Sequence, residues 1–139
     1  MELSIQQRDF LKALQRTQSV ADRKSSMPIL SNVLLSAEGP DRVRFAATDL
    51  YLGVSASCPA AIRKGGTIAI AARTLFDIVR NLPDGEVRVS VAQNQQVVLE
   101  VGKIKYRIPG LPGEDFPPLP NPGEASWATL DAWLLGELV

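Results

Sequence analysis

The sequence has no histidine and one cysteine, Cys58. These two shortages exclude most side-chain catalysis. Without histidine there is no Ser-His-Asp or Cys-His set. One cysteine builds neither a His-Cys metal cluster nor an internal disulfide, and a lone thiol suits a reducing, cytoplasmic compartment. Cys58 stands before Pro59 at the end of an alternating run and reads as a small strand residue. Apolar runs are also short. None approaches the ~18 residues that predict a membrane span. The N-terminus, Met1-Glu2-Leu3-Ser4, lacks the basic stretch and apolar core of a signal peptide. Gly65-Gly66 carries no Walker or dinucleotide pattern around it. Asp49, a lone carboxylate, reads as a turn residue bonding its own backbone. The expectation is a protein without catalysis and without a cofactor.

Net charge is missing as well: 15 basic residues balance 15 acidic ones over 139 residues. A protein basic all over, the usual form of a tight nonspecific nucleic-acid binder, is therefore excluded. The balance is uneven along the chain. Residues 1–80 hold 11 basic and 7 acidic side chains, and residues 81–139 hold 4 and 8. A local basic face remains open.

What is present is a repeat. A short apolar strand runs into a helix at Leu3-Ser4-Ile5, at Ile68-Ala69-Ile70 and at Trp127-Ala128-Thr129-Leu130. Each time an apolar strand residue is followed by apolar residues five and nine positions on: Ile5/Phe10/Leu14, Ile70/Leu75/Val79 and Leu130/Leu135/Val139. The copies lie about 60–65 residues apart, the mark of a repeated supersecondary unit. The third copy stops inside its helix, which predicts a longer repetitive protein of which this chain is the first part.

The periodicity predicts a helix over about Gln6 to Gln18, with Phe10, Leu11 and Leu14 on one side and Arg8, Lys12 and Arg16 on the other. Val20 to Pro28 reads as a polar loop. Strands are predicted at Ile29 to Ala37, Arg42 to Ala46 and Leu50 to Cys58, and a loop at Pro59 to Gly66. The second half repeats the scheme: a strand from Thr67 to Ile70, a helix from about Ala72 to Asn81, then strands at Glu86–Val91, Val97–Val101 and Lys103–Ile108. Each half is β-α-β-β-β. The fold class is α+β, with two helices packed on antiparallel sheets. Six of the ten prolines fall between Pro109 and Pro122, which reads as an interdomain linker.

Four segments occur in a particular order and spacing: Met27-Pro28-Ile29-Leu30-Ser31-Asn32-Val33-Leu34-Leu35, Ala47-Thr48-Asp49-Leu50, Arg73-Thr74-Leu75-Phe76-Asp77-Ile78-Val79-Arg80-Asn81-Leu82-Pro83 and Asp115-Phe116-Pro117-Pro118-Leu119. In these the chain resembles the bacterial DNA sliding clamps, the beta subunits of the replicative DNA polymerase III. The resemblance covers essentially the whole chain and implies the DNA-clamp fold. It implies three such domains per protein and two protomers closed head to tail into a ring around duplex DNA. Residues 1–122 would be the first domain with its exit linker, and residues 123–139 the start of the second. Clamp loader and polymerases would dock on domains outside this chain.

The resemblance also assigns residues. Lys24 stands where the family has a DNA-contacting arginine; lysine keeps the charge and loses the bidentate fork. Neighbouring Arg23 and the helix residue Arg73 join it. Arg8, Lys12, Arg16 and Arg80 would make loose phosphate contacts, which carry no sequence information. Taken without the resemblance, the same charges read as a solvated helix surface. Lys103, Lys105, Tyr106 and Ile108 would meet the other protomer, although Gln96 stands where relatives often carry a basic residue. Read blindly, the 103–108 strand is an edge guarded by lysines. That leaves a second class open: a self-contained α+β interaction module that recruits a partner through the edge.

Overall fold

The computed structural model describes residues 1–21, 27–119 and 125–138. Nine strands and three helices follow in order: β1 (Glu2–Gln6), α1 (Gln7–Thr17), β2 (Asn32–Glu38), β3 (Arg42–Thr48), β4 (Gly53–Pro59), β5 (Ala61–Lys64), β6 (Thr67–Ala71), α2 (Ala72–Asn81), β7 (Glu86–Val91), β8 (Gln96–Val101), β9 (Ile104–Pro112) and α3 (Ala132–Leu138). Short 3-10 turns cover Pro28–Ser31 and Gly113–Asp115. The α+β class and the two β-α-β-β-β halves are as expected from the repeat.

Every strand pairing is antiparallel, in the order β4-β3-β2-β6-β9-β8-β7-β1-β5. The two ends of that order are consecutive pieces of one stretch, Gly53–Lys64, interrupted at Ala60. Its first piece pairs with β3 and its second with β1. β9 does the same in the other half: Ile104–Pro109 pair with β8, and Gly110–Pro112 pair with β6. The halves are therefore related by a pseudo-twofold in which β1 answers β6, α1 answers α2, and β4 with β5 answers β9. Gly110 sits where β9 changes partner. A Cβ there would lie 2.8 Å from the Gln95 carbonyl oxygen and 2.8 Å from Ile68 Cδ1, so only glycine fits the crossing.

Both helices face inward along the stripe that the spacing predicts. Phe10, Leu14, Leu75 and Val79 are fully buried, and Leu11 and Phe76 pack partly buried against the same core. Phe10 meets Phe45 of β3 with ring centroids 5.5 Å apart, tilted by 51°. Both helices start directly from a strand: their N-caps, Gln6 and Ala71, make no side-chain capping bond. Burial of the stripe rather than capping holds them in place.

Several expectations need correction. Pro109–Pro112, read as the start of a linker, continues β9, and Gly110–Pro112 pair with β6. Leu50–Leu52, read as the start of a strand, form a turn ahead of β4, which begins at Gly53. Pro59–Gly66 is not all loop, because Ala61–Lys64 pairs with β1. Ile29–Ser31 belongs to a 3-10 turn, and its strand begins at Asn32. No strand forms at Trp127–Leu130, since no described strand pairs with it; only the helix of that third unit is present. The boundary placed between residues 122 and 123 lies outside the described residues, as does Val139.

Candidate nucleic-acid interface

The two helices lean on each other. Gln7 in the first turn of α1 donates to the Val79 carbonyl oxygen near the end of α2, 2.8 Å away. Contact between the start of one helix and the end of the other lays them antiparallel. Since Gln7, Phe10, Ala13, Leu14 and Thr17 of α1 are buried, Arg8, Lys12 and Arg16 are left exposed. On α2, burial of Ala72, Leu75 and Val79 leaves Arg73 and Arg80 exposed. The structure thus brings five of the expected cations onto one paired-helix surface. Lys24 and Arg23, the other two, lie outside the described residues.

The five cations are not equivalent. Arg8 reaches Asp84 at 3.4 Å. Arg73 and Arg80 share one carboxylate, Asp77, at 3.9 and 3.5 Å. The Arg80 guanidinium also lies over the Phe76 ring, 5.6 Å from its centroid. Lys12 and Arg16 have no ion-pair partner among the described residues. Exposed pairs of these lengths are weak, so the arginines can exchange a carboxylate for a phosphate. A surface of this kind can hold a polyanion loosely and without reading its sequence.

The strand at 103–108 is only half an edge. β8 takes one side of Ile104–Pro109, while β6 takes the other side from Gly110 onward. Along Ile104–Pro109 the second side has no partner among the described strands. Lys103 lies in the turn before β9, exposed. Lys105 pairs across the ladder with Glu100 at 3.4 Å. Tyr106 is half-exposed, as is Ile104 on the same face of the strand. Ile108, expected at the protomer contact, is 4% exposed in this chain and packs in the domain's own core, opposite Val97.

Asp49 is the turn residue expected. Its Oδ1 accepts the backbone N–H groups of Tyr51 and Leu52 at 2.9 and 2.6 Å. The Leu52 and Tyr51 amides hold its carboxyl below the usual aspartate value. The same turn carries Leu50 at φ 78°, a conformation unusual for leucine, and exposes Leu50, Tyr51 and Leu52 together. No described helix is long and apolar enough to cross a membrane.

Residues 1–120 match the family described as DNA polymerase III beta subunit, N-terminal domain. The chain is 42% identical over 133 residues to the beta sliding clamp of Caulobacter vibrioides, covering 94% of this chain and 36% of that one. It is 31% identical over 128 residues to the beta sliding clamp of Synechocystis, covering 87% of this chain and 33% of that one. Among solved structures, the DNA polymerase sliding clamp from Caulobacter crescentus superposes with a TM-score of 0.82 at 42% identity, over 88% of this chain and 34% of that one. The Pseudomonas aeruginosa beta subunit superposes at 0.81 with 31% identity, over 87% and 33%. The chain spans about a third of the length of the curated relatives it matches.

Proposed function

The chain belongs to the family of DNA polymerase III beta subunit N-terminal domains, and from that premise we propose that it supplies one segment of a cytoplasmic sliding clamp that encircles duplex DNA and makes a polymerase processive. The role has no catalytic step and no cofactor. The observation that carries the reading is the paired-helix surface. Two pseudo-symmetric helices turn Arg8, Lys12, Arg16, Arg73 and Arg80 outward on one side of the domain. Lys24 by family position, and Arg23 as its neighbour in sequence, would extend the same charge; both lie outside the described residues.

Topology, rather than tight binding, would retain the DNA. A ring that slides needs contacts that break and re-form along the duplex. Five exposed cations, three of them already leaning on carboxylates, suit that better than a dense basic patch. The open side of Ile104–Pro109, with Lys103, Lys105, Ile104 and Tyr106, would meet a second protomer. By the pseudo-twofold, β4 has an equivalent open side. Leu119 packs on Gly53 at its start, so residues 1–122 as one domain and 123–139 as the beginning of the next fit a chain that leaves beside β4. Clamp loader and polymerases would engage units beyond this chain.

The test is the salt dependence of duplex binding by the intact protein. Lys12→Ala and Arg73→Ala should each weaken affinity for any duplex sequence, and Lys12→Ala, at a cation without an ion-pair partner among the described residues, should flatten the slope of log K against log salt by about 0.9 for the phosphate no longer neutralised. Binding that depends on base sequence and survives high salt would refute the clamp reading.

A further inference from the structure

The repeat that relates the two helices also shows where they differ. Ile5, Phe10 and Leu14 recur as Ile70, Leu75 and Val79, an offset of 65 positions. The same offset carries Arg8 onto Arg73 and Lys12 onto Asp77. At the centre of the exposed face, one helix therefore has a lysine and its symmetry mate has an aspartate. That aspartate holds both arginines beside it, at 3.9 and 3.5 Å. Lys12 has no ion-pair partner among the described residues.

Helix stability gives only a small part of the account of Asp77. It stands four residues after Arg73, the weaker order for such a pair, and three before Arg80, the favoured order, and pairs of this kind contribute only about 0.2–0.5 kcal/mol each. The α2 fold is supplied by Ala72, Leu75 and Val79, all buried. The effect of Asp77 falls instead on the outward surface. Its carboxylate neutralises part of two arginines and places a negative charge where phosphates would pass.

We propose that Asp77 is a positioning residue that loosens the α2 side of the interface, so that α1 grips duplex DNA more firmly than α2 and the grip as a whole stays exchangeable. This rests on the proposed clamp function. Arg73 and Arg80 are oriented by Asp77 between phosphate contacts and must leave it to make one. Each such contact starts from an arginine already paired within the protein, and therefore releases less counterion than one made by Lys12.

The experiment compares wild type, Asp77→Asn, Asp77→Glu and Lys12→Ala in the intact protein, binding a short linear duplex of arbitrary sequence between about 50 and 200 mM salt. Asp77→Asn should tighten binding several-fold at the low-salt end and steepen the log–log slope by about 0.9 for each arginine freed to meet a phosphate. Asp77→Glu keeps the charge and should track wild type, which a role in helix packing would not require. Lys12→Ala should weaken binding and flatten the slope. If Lys12→Ala behaves so while Asp77→Asn leaves affinity and slope unchanged, the role of Asp77 is overturned and the interface stands. If neither variant changes binding, the interface itself is wrong, and Asp77 with it.

Discussion

Gln7 and Val79 stand 72 positions apart in sequence and 2.8 Å apart in space, joined by the Gln7 amide donating to the Val79 carbonyl oxygen. The bond is buried and crosses the pseudo-twofold. The symmetry-related position on α2 is Ala72, which cannot return it. Gln7→Ala should therefore loosen the seam between the halves. The Val79 oxygen also accepts the Leu82 N–H at 3.2 Å, so it is not left wholly unpaired. The loss should be about 1–2 kcal/mol by urea denaturation, with the transition still cooperative.

Phe10 has no exposed surface and meets Phe45 across the helix–sheet boundary. Truncating it opens a cavity in the core beside Phe45. Phe10→Ala should cost about 3–5 kcal/mol. Tyr51 is the same class of residue in the opposite setting, 95% exposed at a turn. Tyr51→Ala should change stability by less than about 0.5 kcal/mol. Equal losses at the two positions would mean the core is misplaced.

Cys58 titrates late. Burial, then the nearby Asp9 charge, push its thiol up to about 11, against a smaller opposing pull from Arg42. An unfolded chain releases that proton near the ordinary value of 9.0. The folded state thus binds more protons in this window. The contribution is fully present below pH 9 and is lost as pH rises through about 11. Thiolate absorbance should rise near pH 9 in denaturant and near 11 in the folded protein. A folded midpoint at 9 would contradict the burial.

Gly110 marks the crossing of β9 from β8 to β6. A side chain there must displace the Gln95 carbonyl or the Ile68 side chain, each 2.8 Å from the position of a Cβ. Gly110→Ala should destabilise by about 1–3 kcal/mol. Gly102, in the turn before β9, has open space around it but a φ of 55°, so its alanine variant should cost less, about 1 kcal/mol, through backbone strain alone.

Much of this architecture is legible in the sequence because periodicity reports local burial. The 3.6-residue stripes place both helices within a residue or two, and the offset of 65 exposes the pseudo-twofold without any knowledge of strand pairing. What escapes is set by distant partners. Ala61–Lys64 is too short, between Pro59 and Gly65-Gly66, to announce itself, and becomes a strand only by lying against β1. Trp127–Leu130 has the composition of a strand and no described strand to pair with. Ile104, Tyr106 and Ile108 alternate perfectly, yet alternation does not say that the core ends between 106 and 108. On α2, Asp77 is visible between Arg73 and Arg80. Its hold on both at once needs the rotamers, and its contrast with Lys12 needs the symmetry.

The central claim is that duplex DNA passes over the outer faces of α1 and α2. Amide chemical-shift mapping of the 15.1 kDa chain, titrated at low salt with duplexes of unrelated sequence, tests it directly. The expected shifts are small and the same for every duplex. They should cluster at Arg8, Lys12, Arg16, Arg73 and Arg80, be larger on α1 than on α2, and vanish as salt is raised. Shifts confined to the sheet edges at β4 and β9, or a pattern that changes with DNA sequence, would contradict it.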